Sequence, residues 1–429
     1  MLSILTLVNP FIGPNPWPVI RRKRIKKLLP QAMRLSGIDA WVVVCRENAN
    51  DPLAIHVGGE NAGGTMGIVF HYFDGVVSST GFSPWGEAQG LRDMKVHDTV
   101  VSLDQPAKLY SELAKHLMSL NPKRIALNSS GKGIADGLSW SQRNALEKEL
   151  SPEFRSRLVS AEDLVSEWLS VKLPEEVEIM RKAGELTVQL QKEAYMQVVP
   201  GETRDIDVAR YIQRRMEELG VDHAWAPDQN PNVNSGYPKG HAGASEKVIE
   251  AGDFIQTDFG IKVYGIWCTD YQRFAYVLAS GEKEPPVEDL QKWEYAREGH
   301  RRVLAAMKPG IRGYDVDHVQ REWMKETGSK PVMWGTGHPV GYWAHDVGPY
   351  LGGGQHPDSP SGDALRLLRV GQTFAYDGFF CWDEVSGDES TRKFISVEEM
   401  AVVTEDGAEY LIPPQEELIL IQSPVTTDS

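Results

Sequence analysis

The sequence is poor in cysteine and has no long apolar run. Its three cysteines, Cys45, Cys268 and Cys381, lie far apart and form no Cys-x-x-Cys pair, which argues against a disulfide framework and against a thiolate zinc site. No stretch approaches the ~20 consecutive apolar residues that cross a bilayer. The short apolar run at the N-terminus precedes its basic cluster, the reverse of the order in a secretory signal. We therefore expect a soluble, cytoplasmic protein.

Positive charge is also scarce. The chain has 45 lysines and arginines against 60 aspartates and glutamates, a net charge of −15. Binding to nucleic acid and to anionic membranes both depend on a positively charged surface. The charge balance therefore predicts that neither is a partner. The 41% hydrophobic and 24% charged residues are typical of a globular protein.

The length of the chain, 429 residues, predicts two domains, because a single core of that size is uncommon. We place the boundary near residue 170. In the first domain, residues 1–169, apolar runs such as "DAWVVVC" and "RIALNS" alternate with amphipathic stretches such as "AKLYSELAKHLMSL". This alternation predicts an α/β domain with a central sheet.

The second domain, residues 170–429, contains two predicted helix pairs. Pro174, followed by acidic residues, predicts the start of a long helix, and Gly220 predicts the end of the next one. Residues 288–310 and 312–328 repeat this arrangement. Each pair precedes strand-like segments rich in glycine and aromatic residues, a pattern that hints at internal duplication.

Two aspartates, Asp258 and Asp270, lie twelve residues apart, each in an otherwise apolar stretch. In one extended strand they would be about 40 Å apart. A turn at their midpoint, Tyr264-Gly265, would place them directly opposite each other, about 5 Å apart. Two buried carboxylates at that distance stay ionised only with a cation between them. For an isolated pair, exposed aspartates or a surface Asp270–Arg273 ion pair is the alternative.

Further ligand-type residues follow in the chain. His338 and His345 lie seven apart in a stretch rich in glycine and aromatic residues, which predicts an extended or looped segment. A lone histidine there would most often pack in the core, but two favour a site. Asp377 ends an apolar run. Glu398 and Glu399 precede the predicted strand "MAVVT", where the period of two allows only one of them to face inward.

In this order, the positions resemble the creatinase/aminopeptidase P/prolidase family, the "pita-bread" metallopeptidases. Members bind two metal ions through Asp, Asp, His, Glu and Glu. The matching residues are Asp258 in "TDFG", Asp270 in "DYQR", His338 in "TGHPVG", Asp377 in "AYDG" and Glu398 in "ISVEEMAVVT". The resemblance covers most of the chain and implies a creatinase-type α/β N-terminal domain followed by an α+β pita-bread catalytic domain.

The resemblance also implies a dinuclear metallohydrolase that uses a metal-bridging hydroxide to cleave an amide bond, as an aminopeptidase P or a prolidase (Xaa-Pro dipeptidase) does. Asp258 would bind one ion, and Asp270 and Glu398 would bridge both. His241 in "YPKGHAG" and His345 in "HDVG" match catalytic histidines that donate hydrogen bonds to the substrate carbonyl. Oxygen-rich ligation with one imidazole favours Mn²⁺, with Fe²⁺, Co²⁺ or Zn²⁺ as alternatives.

The sequence departs from the family pattern near the site. Asp377 replaces the usual glutamate, Ser396 stands where many members have an arginine, and Trp334 where many have a histidine. The spacing of twelve between the first two aspartates is one longer than usual, which predicts a bulge. Six aromatic residues near the motifs, five of them tryptophans, predict a large apolar wall; they are Trp225, Trp267, Trp334, Tyr342, Trp343 and Trp382.

These departures leave two alternatives open. One is a relative that acts on a small non-peptide metabolite, by C–N hydrolysis or by lyase chemistry. The other is a binding module without catalysis. In each case the expected partner is a small peptide or small molecule. The family also implies a homodimer, to which an exposed N-terminal arm with Phe11 and Trp17 would contribute.

Overall fold

The structure is a computed structural model that describes residues 7–237 and 242–423. The chain divides into two compact units. One runs from Asn15 to Val171, and the other covers the described residues from Lys172 onward together with residues 7–14. Within the described ranges, no helix combines the length and the apolar character needed to cross a bilayer.

The first unit is built on a six-stranded sheet. Its strands are β1 (Ala40–Cys45), β2 (Met66–Phe73), β3 (Val76–Pro84), β4 (Thr99–Leu103), β5 (Ile125–Leu127) and β6 (Leu158–Ser160). Their order is β4-β3-β2-β1-β5-β6. Every residue of β1 is buried, because the all-apolar strand lies inside the sheet, antiparallel to β2 and parallel to β5.

Helices complete the first unit. They are α1 (Trp17–Lys27), α2 (Leu29–Ser36), α3 (Ala54–Val57), α4 (Ala88–Asp93), α5 (Leu109–Leu120), α6 (Trp140–Glu149), α7 (Pro152–Arg155) and α8 (Glu162–Ser170). Trp17 is only 3% exposed, so the prediction of an exposed arm carrying this side chain was wrong. Its indole Nε1 donates to the Ile55 carbonyl and holds it inside the unit.

The second unit contains the two predicted helix pairs. They are α9 (Pro174–Tyr195) with α10 (Asp205–Leu219), and α11 (Val287–Ala306) with α12 (Gly313–Glu326). Pro174 is the first residue of α9, and Gly220 ends α10 with a φ of 67°. Both helix boundaries are therefore confirmed. Short 3₁₀ turns lie in the two units at Pro106–Lys108, Gly133–Ala135, Pro227–Gln229 and Glu389–Thr391.

The strands of the second unit form several small sheets. They are β7 (Asp222–His223), β8 (Asn232–Ser235), β9 (Phe254–Phe259), β10 (Ile261–Val263), β11 (Trp267–Cys268), β12 (Tyr271–Leu278), β13 (Gly337–Pro339), β14 (Thr373–Tyr376), β15 (Phe380–Asp383), β16 (Arg392–Ile395), β17 (Glu399–Val403), β18 (Ala408–Tyr410) and β19 (Ile419–Gln422). The two larger sheets have the orders β19-β12-β9-β8 and β13-β14-β17-β18.

The element order of the second unit repeats. Each helix pair is followed by three strands in which neighbouring strands are antiparallel, β8-β9-β12 after the first pair and β13-β14-β17 after the second. The two sheets meet where the Gln272 backbone N–H donates to the Glu398 carbonyl at 3.3 Å. The chain therefore brings the ends of strands from both halves to one place.

The hairpin between Asp258 and Asp270 turns where the sequence predicts. Tyr264 and Gly265 both have positive φ, 55° and 68°, a conformation that suits tight hairpin turns. However, Ile266 also belongs to the loop, because Val263 pairs with Trp267. The turn is thus centred one residue later than the midpoint of the two aspartates.

This shift decides how the carboxylates face each other. Asp258 pairs directly with Gln272, not with Asp270, so the predicted direct opposition was wrong. Asp270 is two residues from Gln272, and the two aspartates are therefore diagonal neighbours on one face. The predicted bulge was also wrong, because Lys262 pairs with Cys268 in the same register. The ladder instead breaks at Gly260, where a Cβ would lie 2.1 Å from the Thr269 carbonyl oxygen.

Candidate metal centre

Three side chains from three strand ends converge in the second unit. Asp270 directly precedes β12, His338 is the middle residue of β13, and Glu398 directly precedes β17. Each offers one ligand atom, and these atoms all lie within 4.8 Å of one another. His338 Nε2 is 3.7 Å from Asp270 Oδ2 and 3.7 Å from Glu398 Oε1.

The tautomer of His338 suits a metal ligand. Its Nδ1 lies 3.1 Å from the Pro339 carbonyl oxygen. A carbonyl only accepts, so Nδ1 carries the hydrogen, and in the neutral ring Nε2 presents a lone pair. That lone pair and two carboxylates form a set of acceptors that could hold a cation between them.

The remaining predicted ligands border the same space. Asp258 lies on β9, and Asp377 directly follows β14, where its backbone N–H donates to the Thr336 carbonyl. Both line a cavity of about 510 Å³ that is also bordered by Asp270, His338 and Glu398. The structure therefore brings all five residues around one cavity, although only three have ligand atoms in the close group.

Burial and mutual repulsion dominate the electrostatics of these four carboxyl groups. Burial raises the pKa of Asp258 to about 7 and that of Asp377 to about 8. The pKa values of Asp270 and Glu398 lie well above the ordinary range, first because of burial and then because of the neighbouring carboxylates. A divalent cation at this point would offset both effects.

The donor set fits such an ion. Asp270 Oδ1 is buried and has no hydrogen-bond partner among the described residues, an arrangement that is costly unless another group binds it. Four carboxylates and one imidazole are ligands that Mn²⁺ and similar hard ions prefer.

His345 lies beside this group rather than in it. Its ring stacks on that of His338 with centroids 4.1 Å apart, and it lines the cavity. The side chain is exposed, so it is accessible to a molecule in the cavity. His241, the other predicted catalytic histidine, lies outside the described residues.

Gln272 is a cavity residue that the sequence reasoning missed. Gln272 is 1% exposed, and its Nε2 lies 3.1 Å from Glu398 Oε2 and 3.3 Å from Asp377 Oδ2. The available signal was its position two residues after Asp270, because alternate residues of a strand face the same side.

Glu399 is buried although the sequence pattern allowed only one of Glu398 and Glu399 to face inward. It is fully buried, as is Glu398, so the pair is not divided into one inward and one solvated side chain. Glu399 forms a buried ion pair with Arg273 at 3.0 Å and accepts from the Gln415 N–H. Arg273 is therefore not the surface partner of Asp270, and Glu399 has a structural role.

The predicted tryptophan wall is smaller than expected. Trp225 and Trp334 line the cavity together with Tyr350 and Phe379, and the rings of Trp334 and Phe379 have centroids 4.5 Å apart. The other three predicted tryptophans do not line it. Trp267 and Trp382 belong to the buried core, and Trp343 is partly buried.

A buried ion pair holds the loop that carries His345. Lys172 Nζ lies 3.3 Å from Asp346 Oδ2, and both side chains are 0% exposed. Asp346 Oδ2 also accepts from the Tyr342 N–H. The Tyr342 hydroxyl donates to Glu176 Oε1 at 2.6 Å. These bonds fix the segment between the two histidines to the start of α9.

We expect Lys172→Met to lower the free energy of unfolding by about 3–5 kcal/mol, because it leaves the Asp346 carboxylate buried without its cation. Urea denaturation of both proteins measures the difference. Lys325→Met is the control, since Lys325 pairs with Glu322 on the surface and should lose less than about 1 kcal/mol. Equal losses in the two variants would contradict the assignment of a buried pair.

Comparison with known proteins agrees with this geometry. Residues 178–405, more than half of the chain, match the model of metallopeptidase family M24. The chain is 26% identical over 299 residues to the Xaa-Pro dipeptidase of Pyrococcus furiosus. The matched region covers 69% of this chain and 77% of that protein.

Two solved structures show the same fold. Dipeptidase PepE of Mycobacterium ulcerans has a TM-score of 0.67 at 20% identity and covers 94% of this chain and 99% of its own. The X-Pro aminopeptidase of Thermotoga maritima has a TM-score of 0.66 at 22% identity, and the match covers 91% of this chain and 100% of the aminopeptidase chain. The predicted fold class, an α/β N-terminal domain with a pita-bread catalytic domain, is thereby confirmed.

Proposed function

Because the chain belongs to metallopeptidase family M24, we propose that it is a metal-dependent peptidase that cleaves the amide bond preceding proline in small peptides. The observation that supports this most strongly is the meeting of His338 Nε2 with the carboxylates of Asp270 and Glu398, in a group whose atoms all lie within 4.8 Å. Such a group is suited to a divalent ion and is open to a cavity large enough for a short peptide.

We assign two ions to this centre, with Mn²⁺ as the native metal. The residues assigned to the ions are Asp258, Asp270, His338, Asp377 and Glu398, and the close group of ligand atoms belongs to Asp270, His338 and Glu398. Bound divalent ions supply a nucleophilic water at neutral pH and polarise the substrate carbonyl. The chain's own part is to hold these ligands in a buried, preorganised group.

His345 and His241 are assigned to the substrate. His345 is exposed, lines the cavity and is stacked on His338, which supports a position of its ring beside the scissile bond. It would donate a hydrogen bond to the carbonyl oxygen as negative charge develops there. His241 is assigned a similar role from its place in the sequence motif.

The cavity lining favours a peptide longer than a dipeptide. Among the described lining residues there is no lysine or arginine, so none of them offers a permanent positive charge to the carboxylate of an Xaa-Pro dipeptide. The aromatic side chains Trp225, Trp334, Tyr350 and Phe379 instead suit an uncharged or apolar extension. An aminopeptidase P-type substrate, Xaa-Pro-Yaa, therefore fits better than a prolidase-type one. The same wall favours, as a second candidate, a non-peptide amide with a bulky apolar group.

The test compares matched peptides on protein produced with added Mn²⁺. We expect about two equivalents of bound Mn²⁺ and cleavage of Phe-Pro-Phe with a higher kcat/KM than Phe-Pro. Phe-Ala-Phe is the control for proline recognition. A metal-loaded protein that cleaves none of these peptides would support the non-peptide candidate, and a protein that takes up no Mn²⁺ would overturn the metal centre.

Two further properties stay predictions. We propose a homodimer by analogy with the family, which sedimentation of the purified protein would test. We also propose a cytoplasmic location, in keeping with three buried, unpaired cysteines.

A further inference from the structure

The side chain of Gln272 connects two of the acidic groups of the centre. Its Nε2 lies 3.3 Å from Asp377 Oδ2 and 3.1 Å from Glu398 Oε2. A carboxamide nitrogen has two hydrogens, so one amide group can serve both carboxylates. Among the described residues, no other side chain donates a hydrogen bond to both Asp377 and Glu398.

The orientation of this amide is determined by its neighbours. Ser396 Oγ donates to Gln272 Oε1 at 2.6 Å, and the Gln256 amide nitrogen donates to the same oxygen. On the other side, both partners are carboxylates, which accept when ionised. Only the orientation with Nε2 toward the carboxylates satisfies every group, and Gln272 is 1% exposed, so water does not compete.

Asp377 accepts a hydrogen bond from the chain on each of its two carboxylate oxygens. Its Oδ2 accepts from Gln272, and its Oδ1 accepts from the Gly378 N–H at 2.5 Å. Both oxygens are therefore already hydrogen-bonded by the chain. Asp270 differs, because its buried Oδ1 has no such partner among the described residues. In agreement, Asp270 belongs to the close group of three ligand atoms, and Asp377 does not.

From these contacts we propose that Gln272 is a positioning residue that holds Asp377 in the outer sphere of the metal centre. One of the two ions is then held directly by Asp270, His338 and Glu398. Asp377 acts through the Gln272 amide, which also fixes which oxygen of Glu398 faces His338. This inference rests on the proposed metal-dependent function, and it assigns Asp377 a hydrogen-bonding role in place of a direct metal bond.

The test is a double-mutant cycle on Mn²⁺ affinity, measured by calorimetric titration of the full chain without substrate. We expect Asp377→Asn to weaken Mn²⁺ binding by about tenfold, the lower end of the range for an outer-sphere partner. Asp270→Asn, which alters a direct ligand, should weaken it by about 1000-fold or more. In a Gln272→Leu background Asp377 is released and can reach the ion, so adding Asp377→Asn should cost about 100-fold.

A matched control separates this role from general packing. Gln191 is also a buried glutamine at the same hairpin, but it bonds the Thr257 hydroxyl and backbone carbonyls rather than carboxylates. Gln191→Leu should leave the effect of Asp377→Asn unchanged. If Gln272→Leu does not fold, Gln272→Met replaces it in the cycle. The comparison of Asp377→Asn with Asp270→Asn in the wild-type background needs neither Gln272 variant.

The outcomes distinguish the two proposals. A 1000-fold loss from Asp377→Asn alone would make Asp377 a direct ligand and overturn the role of Gln272, while the peptidase function would stand. Equal effects of Asp377→Asn in both backgrounds would also overturn it. A wild-type protein that binds no Mn²⁺ would overturn the proposed function together with this inference.

Discussion

Asp270→Asn is expected to abolish tight metal binding and to lower kcat/KM by about 1000-fold or more, roughly 4 kcal/mol of transition-state stabilisation. Asp270 is one of the three residues in the close group of ligand atoms. Its Oδ2 is 3.7 Å from His338 Nε2, and its Oδ1 has no hydrogen-bond partner among the described residues. The substitution keeps the size of the side chain and removes the charge that attracts the cation. Metal content after dialysis and peptide cleavage measure the two effects.

Glu399→Gln is the matched control for Asp270→Asn. Glu399 is equally buried and lies next to Glu398, but its carboxylate pairs with Arg273 on the opposite face of the strand. We expect this variant to lose stability and to keep its metal, because it leaves the buried Arg273 without its anion. Unchanged metal content in Asp270→Asn, or complete loss in Glu399→Gln, would mean that the centre is wrongly placed.

His345→Ala is expected to keep the metal and to lose turnover by about 100- to 10,000-fold, the usual range for a group that assists proton or charge transfer. The ring stacks on His338 at 4.1 Å and faces the cavity, yet its atoms are not in the close group of ligands. The effect should therefore appear in kcat more than in Mn²⁺ affinity.

His318→Ala serves as the control, because His318 is exposed on α12 and does not line the cavity. It should leave kcat unchanged. If His345→Ala retained kcat within twofold of the wild-type value, the histidine would have no part in the chemistry. If the His345→Ala variant lost its metal, His345 would belong among the metal ligands instead.

Local features were predictable from the sequence because their causes are local. Pro174 and Gly220 mark helix boundaries through their own backbone preferences, and both lie where the sequence predicts. The position of the hairpin turn at Tyr264-Gly265 was predictable for the same reason. The order of the candidate ligands along the chain could also be read from the sequence, because each follows or interrupts an apolar strand.

The contacts of the buried charges could not be read in this way. Arg273 pairs with Glu399, which is 126 residues distant, and Lys172 pairs with Asp346 across 174 residues. Nothing near Glu399 in the chain indicates that a buried arginine will neutralise it. Its burial depends on the meeting of two sheets, and that meeting is a property of the fold.

The hairpin that carries Asp258 and Asp270 shows most clearly which features the sequence determines and which the tertiary structure decides. The sequence alone determined that two carboxylates would occupy one hairpin with its turn near Tyr264, because alternation and turn residues act over a few positions. The tertiary structure decided the register, because one additional loop residue places Gln272 opposite Asp258. It also decided the partners of Gln272, because Asp377 and Glu398 reach that amide only when the second sheet packs against the first.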